Sequence, residues 1–378
     1  MPSRGGVSLS LIRMNKIREV VPEDLYAIVE SGIITEELEK ALEARELFYP
    51  PSPTSSGAST IGGNIATSAS GLRSGKYGTT KNFLMGLELV LPTGEIIKTG
   101  ARTVKSVAGY DLTRLMCGSQ GSLAIVTSAI LKLLPLPEHR VTILAAFETL
   151  EKAAGASIDL TSAGLPPSVL EFLDPVAAQT LTDNSLFPGE AKGRSLVLAE
   201  TDGFREAAEK GAARIERTFK DSGATFVAVT ADSSIADRLW EARRGILRAL
   251  SSRTPALVLG DITVPRSRII TMLQSIIETG RSHGLSVAVF GHAVSGNLHP
   301  AIMLDESVSE KAPSIERALS DLAKAVQSLG GVVTGEYGIG IERKGVPDRP
   351  GSIERKLKEE FDPKGILNPG RPWHSSRS

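Results

Sequence analysis

The segment from residue 49 to residue 78 constrains the fold more than any other feature of the sequence. It shows neither the 3.6-residue period of a helix nor the alternation of a strand, and it contains Pro50-Pro51-Ser52-Pro53, Gly62-Gly63-Asn64, Gly71 and Gly75. An irregular loop of this length is uncommon inside a compact domain unless it has a binding role. Glycines also allow a backbone to approach a ligand closely. The segment therefore predicts a ligand-binding loop.

The pattern of predicted secondary structure changes after Leu134-Pro135-Leu136-Pro137. Before this point short strand-like runs alternate with glycine-rich loops, whereas after it strand-like and helix-like segments alternate, as in Val141–Phe147 and the helical pattern of 204–221. At 378 residues the chain is too long for one ordinary core. The pattern predicts an α+β protein with two domains, residues 1–137 and residues 138–378.

The charge balance and the single cysteine exclude several classes of function. Lys and Arg total 43 and Asp and Glu total 43, so the chain lacks the surplus of positive charge that binds nucleic acid or an anionic membrane. Cys117 cannot form an internal disulfide, which favours a reducing cytoplasm. No apolar run approaches the roughly 20 residues of a membrane helix. We therefore expect a cytoplasmic protein that binds no nucleic acid and is at most peripheral to a membrane through a complex.

Two histidines and a glutamate form a candidate metal site. His292 and His299 flank a turn at Gly296-Asn297 that can bring their rings together, and Glu336 lies in the glycine-rich segment 335–340. Two imidazoles and a carboxylate suit a zinc-like divalent ion. On spacing alone the alternative is favoured, in which both rings only bond backbone carbonyls.

Other polar clusters carry weaker signals. The glycines of 335–340 are in the wrong order for a dinucleotide-binding fingerprint, and the Lys-Ser/Thr pair of a P-loop is absent. Arg243 and Arg244 follow Trp240 on a predicted helix, where a guanidinium could clamp a carboxylate through two bonds. A solvated helix face is the alternative that spacing favours there. Cys117 is most simply a small core residue.

Recognisable segments occur in a fixed order nearly from end to end of the chain. In the first predicted domain they are Tyr49 to Ser55, Thr60 to Ala66, Ser70-Gly71, Lys76 to Gly78, Ala108 to Leu112 and Gly118 to Ile125. In the second they are Trp240 to Arg244, Asp261 to Pro265, His292 to His299, Gly335 to Gly340 and Phe361 to Gly370. Together they resemble the FAD-linked 2-hydroxyacid oxidoreductases of the vanillyl-alcohol oxidase superfamily, especially the glycolate oxidase catalytic subunit and D-lactate dehydrogenase branch.

The resemblance implies a fold and a set of ligand-binding residues. The fold is a PCMH-type FAD-binding domain followed by an FAD-linked oxidase C-terminal α+β domain. In the first domain the implied FAD-binding residues are Pro51, Ser55, Gly62, Gly63, Asn64, Ser68, Gly71, Tyr77, Gly78, Gly121 and Ile125. The resemblance also favours a metal site over the alternative in which both histidines only bond backbone carbonyls. It implies that His292, His299 and Glu336 hold Zn, Mn or Fe. Arg243 is expected to grip the substrate carboxylate.

This sequence departs from the family pattern near the expected chemistry. The residue after Glu336 is usually a histidine that accepts the proton, but here it is Tyr337. An unperturbed tyrosine has a pKa of about 10 and is a weak base at neutral pH. The usual Gly-Asp is Val294-Ser295, and the usual Glu-Gly-Thr is Gln120-Gly121-Ser122. The resemblance also implies that the FAD domain is truncated at its N-terminus. We therefore expect a strand at Val7–Ile12 that lacks partners, and weak binding of FAD.

The resemblance implies an FAD-dependent dehydrogenase or oxidase of a small D-2-hydroxyacid such as glycolate or D-lactate. Hydride would pass from C2 to FAD with the help of a metal ion, and electrons would pass on to a quinone, an iron-sulfur subunit or a second flavoprotein. The alternative is a catalytically silent subunit or fragment that acts as a binding partner. A metal-dependent hydrolase is a third reading, but it leaves the glycine loops of the first domain unexplained.

Overall fold

The computed structural model describes residues 5–164, 167–182, 189–305, 308–338 and 351–369. The chain divides into two compact units, one formed by Met1–Leu136 with Glu336–Ser378 and the other by Pro137–Gly335. The division predicted at residue 137 lies at this boundary. Residues 336–378, which the sequence pattern placed in the second domain, are instead grouped with the first unit. The reason is long-range contact, because the buried Lys358 donates to the carbonyl of Ser122.

The strands follow the order of the sequence. Those of the first unit are β1 (Ile17–Val21), β2 (Tyr26–Glu30), β3 (Leu47–Phe48), β4 (Leu84–Val90), β5 (Ile96–Gly100), β6 (Ile125–Lys132) and β7 (Leu134–Pro135). Those of the second unit are β8 (His139–Phe147), β9 (Val169–Leu173), β10 (Ser195–Gly203), β11 (Phe226–Thr230), β12 (Ala256–Leu259), β13 (Ile262–Thr263), β14 (Ser286–His292) and β15 (Asn297–Leu304).

The α-helices are numbered in the same way. The first unit contains α1 (Thr35–Glu43), α2 (Ile61–Thr67), α3 (Ser74–Tyr77), α4 (Leu112–Met116) and, near the C-terminus, α12 (Ser352–Phe361). The second contains α5 (Leu150–Ser162), α6 (Pro175–Thr182), α7 (Arg205–Asp221), α8 (Ser233–Arg244), α9 (Ile246–Ser251), α10 (Ile269–Ser282) and α11 (Val308–Ser328). In the described part of the chain, none of these helices has the length and apolar character needed to cross a membrane.

The first unit is built on an antiparallel sheet of order β1-β2-β6-β4-β5. Its core includes Leu38 and Leu42 of α1, both without exposed surface, because their four-residue spacing places them on one helix face. Glu36 and Glu37 lie in the first turn of α1, where negative charge is favourable. The sheet and α1 therefore share one apolar interior.

Two local predictions about the first unit are wrong. The irregular segment 49–78 contains α2, whose start is stabilised because the Thr60 hydroxyl accepts a hydrogen bond from the Gly63 N–H. Helix propensity does not predict this short helix, because it contains two consecutive glycines. Val7–Ile12 is not a strand, and Val7 is 93% exposed. No described strand pairs with this stretch, so its apolar alternation does not form a ladder.

The second unit is built on a larger antiparallel sheet of order β11-β8-β10-β9-β14-β15-β12, with β13 paired to β15. Strands β8, β9 and β10 are buried almost throughout, which explains why their apolar runs show little alternation. The hairpin of β14 and β15 pairs Phe290 with His299 and His292 with Asn297. The hairpin thereby brings the two histidines of the sequence motif to neighbouring positions of the sheet.

Asp174 links the end of β9 to β14 and caps α6. Its two carboxylate oxygens accept hydrogen bonds from the backbone N–H groups of Ala177 (2.7 Å) and Val289 (2.8 Å). We expect Asp174→Asn to lower the free energy of unfolding by about 1–3 kcal/mol, because an amide has one acceptor oxygen and leaves a buried N–H unpaired. Burial raises the pKa of Asp174 to about 6. The folded state holds the Asp174 proton more tightly than the unfolded state, so this contribution to the free energy of unfolding is lost as the pH rises through about 6. Denaturant titrations across this range should show the decrease in the wild type and not in Asp174→Asn.

Candidate active site

The first unit contains a cavity of about 470 Å³, a volume within the usual range for ligand and cofactor sites. Four segments contribute to its wall: the N-terminal segment, the start of α2, the loop before and into β6, and the chain after α12. The lining residues are Gly5, Gly6, Val7, Ser8, Leu9, Leu11, Ser31, Thr60, Gly62, Gly63, Ala66, Ser119, Gly121, Ala124, Ile125, Val126, Ile366, Leu367, Asn368 and Pro369. The wall is thus rich in glycine and small side chains, which allow a ligand to approach the backbone closely.

Some of the predicted FAD-binding residues line this cavity and others do not. Those in the wall are Gly62, Gly63, Gly121 and Ile125. Among the described residues, those that lie outside its lining are Pro51, Ser55, Asn64, Ser68, Gly71, Tyr77 and Gly78. Two of the latter have structural contacts, because the Asn64 amide donates to the Thr35 hydroxyl (2.8 Å) and the Tyr77 ring packs edge-on against Phe48.

Packing inside the protein explains part of the glycine pattern that the sequence attributed to ligand contact. A Cβ on Gly62 would lie 2.7 Å from the Cβ of Ser31, and one on Gly71 would lie 2.1 Å from the carbonyl oxygen of Ser52. These two positions exclude side chains whether or not a ligand is bound. Gly121 has a φ of +64°, and a Cβ there would lie 3.0 Å from the amide nitrogen of Asn368. Glycine is therefore needed there for the left-handed backbone and the close approach.

The second unit contains a buried cluster centred on Glu171. The Arg243 guanidinium donates a short hydrogen bond to Glu171 Oε2, and His292 Nδ1 lies 2.6 Å from Glu171 Oε1. The Arg243 guanidinium also lies over the Phe290 ring, 5.0 Å from its centroid. Burial opposes ionisation of Glu171, but the neighbouring His292 and Arg243 hold the pKa of its carboxyl below the ordinary value. The predicted solvated helix face around Arg243 is therefore wrong for this residue, which is 3% exposed.

The two histidines lie side by side in this unit. Their ring centroids are 5.3 Å apart, and their candidate ligating nitrogens lie within 4.8 Å of each other. His299 Nδ1 is 3.4 Å from the carbonyl oxygen of Gly260. Because a carboxylate and a carbonyl only accept hydrogen bonds, the Nδ1 atoms of both rings act as donors. In the neutral rings each Nε2 then carries the lone pair, which is the form that binds a metal ion.

The turn between the histidines is held by Asn297. Its amide nitrogen donates to Asp261 Oδ1 (2.8 Å), the Ile262 carbonyl (3.2 Å) and the Thr263 hydroxyl (2.9 Å). Gly335, the last residue of the second unit, packs so closely here that a Cβ would lie 2.5 Å from the Asn297 amide nitrogen. Rigid packing therefore supports the end of the hairpin that carries both histidines.

Glu336 and Tyr337 directly follow Gly335 and are grouped with the first unit. There the Ser70 hydroxyl donates a short hydrogen bond to the Glu336 carboxylate. The Tyr337 side chain is half exposed. Residues 339 and 340 of the glycine-rich segment lie outside the described residues.

Comparison with known proteins identifies the family to which this cavity and this cluster belong. A model for "FAD linked oxidases, C-terminal domain" matches residues 136–371, and a model for "FAD binding domain" matches residues 1–100. The chain belongs to the FAD-linked oxidase family. Its predicted resemblance, its two-domain α+β fold, its FAD cofactor and its class as an FAD-dependent oxidoreductase are thereby confirmed.

Relatives with known names support the assignment to the FAD-linked oxidases. The glycolate oxidase subunit GlcD of Bacillus subtilis (strain 168) is 40% identical over 380 residues, which cover 98% of this chain and 80% of the relative. A D-lactate dehydrogenase of Anaerostipes hadrus is 32% identical, covering 97% of this chain and 80% of the relative. The glycolate oxidase subunit GlcD of Escherichia coli (strain K12) is 30% identical, covering 98% and 75%.

Solved structures share the fold of this FAD-linked oxidase. p-Cresol methylhydroxylase with substrate bound superposes with a TM-score of 0.76 at 17% identity, covering 97% of this chain and 79% of that one. Alkyldihydroxyacetonephosphate synthase superposes with a TM-score of 0.70 at 21% identity, covering 94% of this chain and 66% of that one. At these identities the similarity shows the fold alone.

Three functional candidates of this FAD-linked oxidase were missed in the sequence. Glu171 was missed because a lone glutamate in an apolar strand gives no motif, although a charged residue in a buried run is itself a signal. Lys358 and Asn368 lie in or near the Phe361–Gly370 segment, which was recognised but assigned no role. Lys358 is 3% exposed, and its ammonium donates to the Ser122 carbonyl, the Leu367 carbonyl and the Asp362 carboxylate.

We expect Lys358→Met to destabilise the first unit by about 3–5 kcal/mol, because it leaves the Asp362 carboxylate buried without its cation. The chain after α12, which forms part of the cavity wall, should then separate from the rest of that wall, where the Asn368 amide donates to the Gln120 carbonyl (2.7 Å). Affinity for FAD should fall together with the free energy of unfolding. Denaturant titration and fluorescence titration with FAD measure the two effects. The exposed Lys356, changed to methionine, is the matched control, and equal values for both variants would contradict the anchoring role.

Proposed function

We propose that this FAD-dependent oxidoreductase oxidises a small D-2-hydroxyacid, such as glycolate or D-lactate, to the corresponding 2-oxoacid. The names of the relatives, glycolate oxidase subunit and D-lactate dehydrogenase, support this substrate class. One structural observation supports it further: a buried arginine lies in the same cluster as two adjacent histidines, and the Nδ1 atom of each ring lies beside a hydrogen-bond acceptor. Arg243 supplies positive charge for a carboxylate, and the histidines supply ligands for an ion beside the hydroxyl.

The cofactor site is the cavity of the first unit. We assign contact with FAD to Gly63, Gly121, Ile125 and Asn368, which line it. FAD held there would supply the hydride acceptor for oxidation at C2 of the substrate. The protein's part is to hold the ring system and to exclude water with the small residues of this wall.

The proposed metal ligands are His292, His299 and Glu336. The two imidazoles fit a divalent ion because their Nδ1 atoms are engaged by Glu171 and the Gly260 carbonyl. Zn, Mn or Fe would each accept this set of nitrogen and oxygen donors. The ion would act as a Lewis acid that lowers the pKa of the C2 hydroxyl.

Arg243 is proposed to hold the carboxylate of the substrate. Its Nε is buried and has no hydrogen-bond partner among the described residues, so the guanidinium retains a donor that a carboxylate can satisfy. Glu171 meanwhile balances the positive charge of Arg243. A substrate carboxylate held here is fixed in orientation as well as in position.

Tyr337 is proposed to accept the proton of the C2 hydroxyl. Since an unperturbed phenolate is scarce at neutral pH, we expect Tyr337→His to raise turnover near pH 7, within the roughly 10²–10⁴-fold range that a general base contributes. Stopped-flow reduction of the flavin over a range of pH measures this step. Tyr337→Phe is the matched control and should be slower than the wild type. A histidine variant slower than wild type at every pH would show that the tyrosine is adapted to its task.

We also propose that the chain works as a subunit that passes electrons to an iron-sulfur protein or a second flavoprotein. The word "subunit" in the names of two relatives supports an assembly. A silent binding subunit is the competing function, favoured by Tyr337 and Ser295 at positions where the family has other residues.

Anaerobic reduction of bound flavin distinguishes the two functions. The FAD-loaded chain is mixed in turn with glycolate, D-lactate and L-lactate, and the visible absorbance of the flavin is recorded. We expect bleaching with glycolate or D-lactate and a much slower reaction with L-lactate. If dithionite bleaches the flavin but no 2-hydroxyacid does, the proposed activity is wrong and the silent subunit is favoured.

A further inference from the structure

We propose that Glu171 is a positioning residue that fixes the tautomer of His292 and the orientation of Arg243 at the same time. This inference deepens the proposed function, because it concerns the residues to which metal and substrate binding were assigned. The observation behind it is the division of one buried carboxylate between two partners, Oε1 to His292 and Oε2 to Arg243.

The backbone places Glu171 in a position from which it can act in this way. It is fully buried at a central position of β9, and β9 pairs with β14 so that Glu171 lies opposite His292. Arg243 reaches the same carboxylate from the end of α8. The carboxylate is thus held by a strand and contacts functional side chains from two other elements.

The chemistry of the contact determines which ring nitrogen of His292 can bind a metal ion. An ionised carboxylate accepts hydrogen bonds and donates none, so His292 Nδ1 must carry a hydrogen. The lone pair of the neutral ring is then on Nε2. A carboxylate behind a metal-binding histidine orients the ring and raises its basicity, and loss of such a partner typically costs about 10–100-fold in metal affinity.

The contact with Arg243 makes the inference sharply testable with Glu171→Gln. A glutamine has one acceptor oxygen and one donor nitrogen on its amide. The charged guanidinium forms the stronger bond and takes the oxygen, which turns the NH₂ group toward His292 Nδ1. Nδ1 must then accept, so the hydrogen of the ring moves to Nε2 and blocks the metal ligand.

Nitrogen NMR of the metal-free chain with ¹⁵N-labelled histidine measures this directly at pH about 9, where an imidazole is neutral. The His292 signals are assigned by their loss in His292→Gln. We expect the Nδ1–H form in the wild type and the Nε2–H form in Glu171→Gln. The exposed Glu241 lies on the same helix as Arg243 and, changed to glutamine, is the matched control that should keep the Nδ1–H form.

Two double variants separate this role from a purely structural one. In Glu171→Gln with Arg243→Met the guanidinium no longer competes for the amide oxygen, so the Nδ1–H form should return. In Glu171→Met with Arg243→Met the buried ion pair is replaced by apolar side chains, a change that commonly preserves folding. This second variant tests the role if the single variant fails to fold, and it should lose the preference for Nδ1–H.

Metal affinity provides the second readout. Competition with a chelator for Zn²⁺ should give a dissociation constant about 10–100-fold higher for Glu171→Gln than for the wild type or Glu241→Gln. A Glu171→Gln protein that keeps both the Nδ1–H form and the wild-type affinity would overturn the inference. If the wild type binds no divalent ion, the proposed metal function fails, and the tautomer of His292 still decides the role of Glu171.

Discussion

His299→Ala should abolish stoichiometric binding of a divalent metal ion. The variant removes one of the two adjacent imidazoles, and the two proposed ligands that remain, His292 and Glu336, are fewer than the three protein ligands typical of such a site. The loss should exceed the roughly 10–100-fold that removal of an outer partner costs. Metal content after dialysis and a chelator-competition titration measure the effect. His283, which bonds Asp321 near the surface, is the matched control when changed to alanine.

The pH dependence of metal binding provides an independent check of the same site. Because the ring nitrogens must be deprotonated to bind, protons compete with the ion, and affinity in the wild type should fall as the pH drops through the histidine range of about 6–7. The His283→Ala protein should show the same dependence. Equal, substoichiometric metal in the wild type and in His299→Ala would show that these histidines hold no ion.

Arg243→Lys should lower kcat/KM for the 2-hydroxyacid by about 10²–10³-fold, which corresponds to roughly 3–4 kcal/mol. Lysine keeps the charge but lacks the planar fork that can bind Glu171 and a substrate carboxylate together. We expect most of the loss in KM and little change in the dissociation constant for FAD, whose cavity lies in the other unit. Steady-state kinetics and a flavin titration of the same preparation separate the two effects.

The control for this prediction is the neighbouring residue. Arg244 is exposed on α8, so Arg244→Lys should leave kcat/KM near the wild-type value. An unchanged KM for every 2-hydroxyacid with Arg243→Lys would remove Arg243 from the substrate site. Arg244 would then be the next candidate, and the buried Arg243 would serve packing with Phe290 and Glu171.

Local patterns in the sequence were sufficient to predict the general architecture. The alternation of strands and helices after Pro137 predicted the second unit, because apolar periodicity reflects which side chains a strand or helix must bury. The glycine-rich stretch predicted a binding region, and part of the observed cavity wall comes from it at Thr60, Gly62, Gly63 and Ala66. The pair His292 and His299 was predicted to converge, and a two-strand hairpin brings the rings together.

Long-range contacts could not be predicted in this way. The return of residues 336–378 to the first unit depends on Lys358 meeting the Ser122 carbonyl, and no local period encodes a contact across that separation. The same holds for Glu171, whose importance appears only when β9 lies beside β14. Val7–Ile12 shows the converse error, because an alternating pattern becomes a strand only if a partner strand is present.

Ordered motifs, periodicity and side-chain identity are enough to predict the family, the α+β class and the residue types available for chemistry. Which of those residues share an environment depends on the folded chain. The tertiary structure placed Arg243 against Glu171 rather than in solvent, brought some of the predicted FAD ligands into the cavity wall and left others outside it, and put an acceptor beside the Nδ1 atom of each histidine. Hydrogen-bond direction, burial and charge depend on neighbours that are distant in the chain and meet only when the sheets assemble.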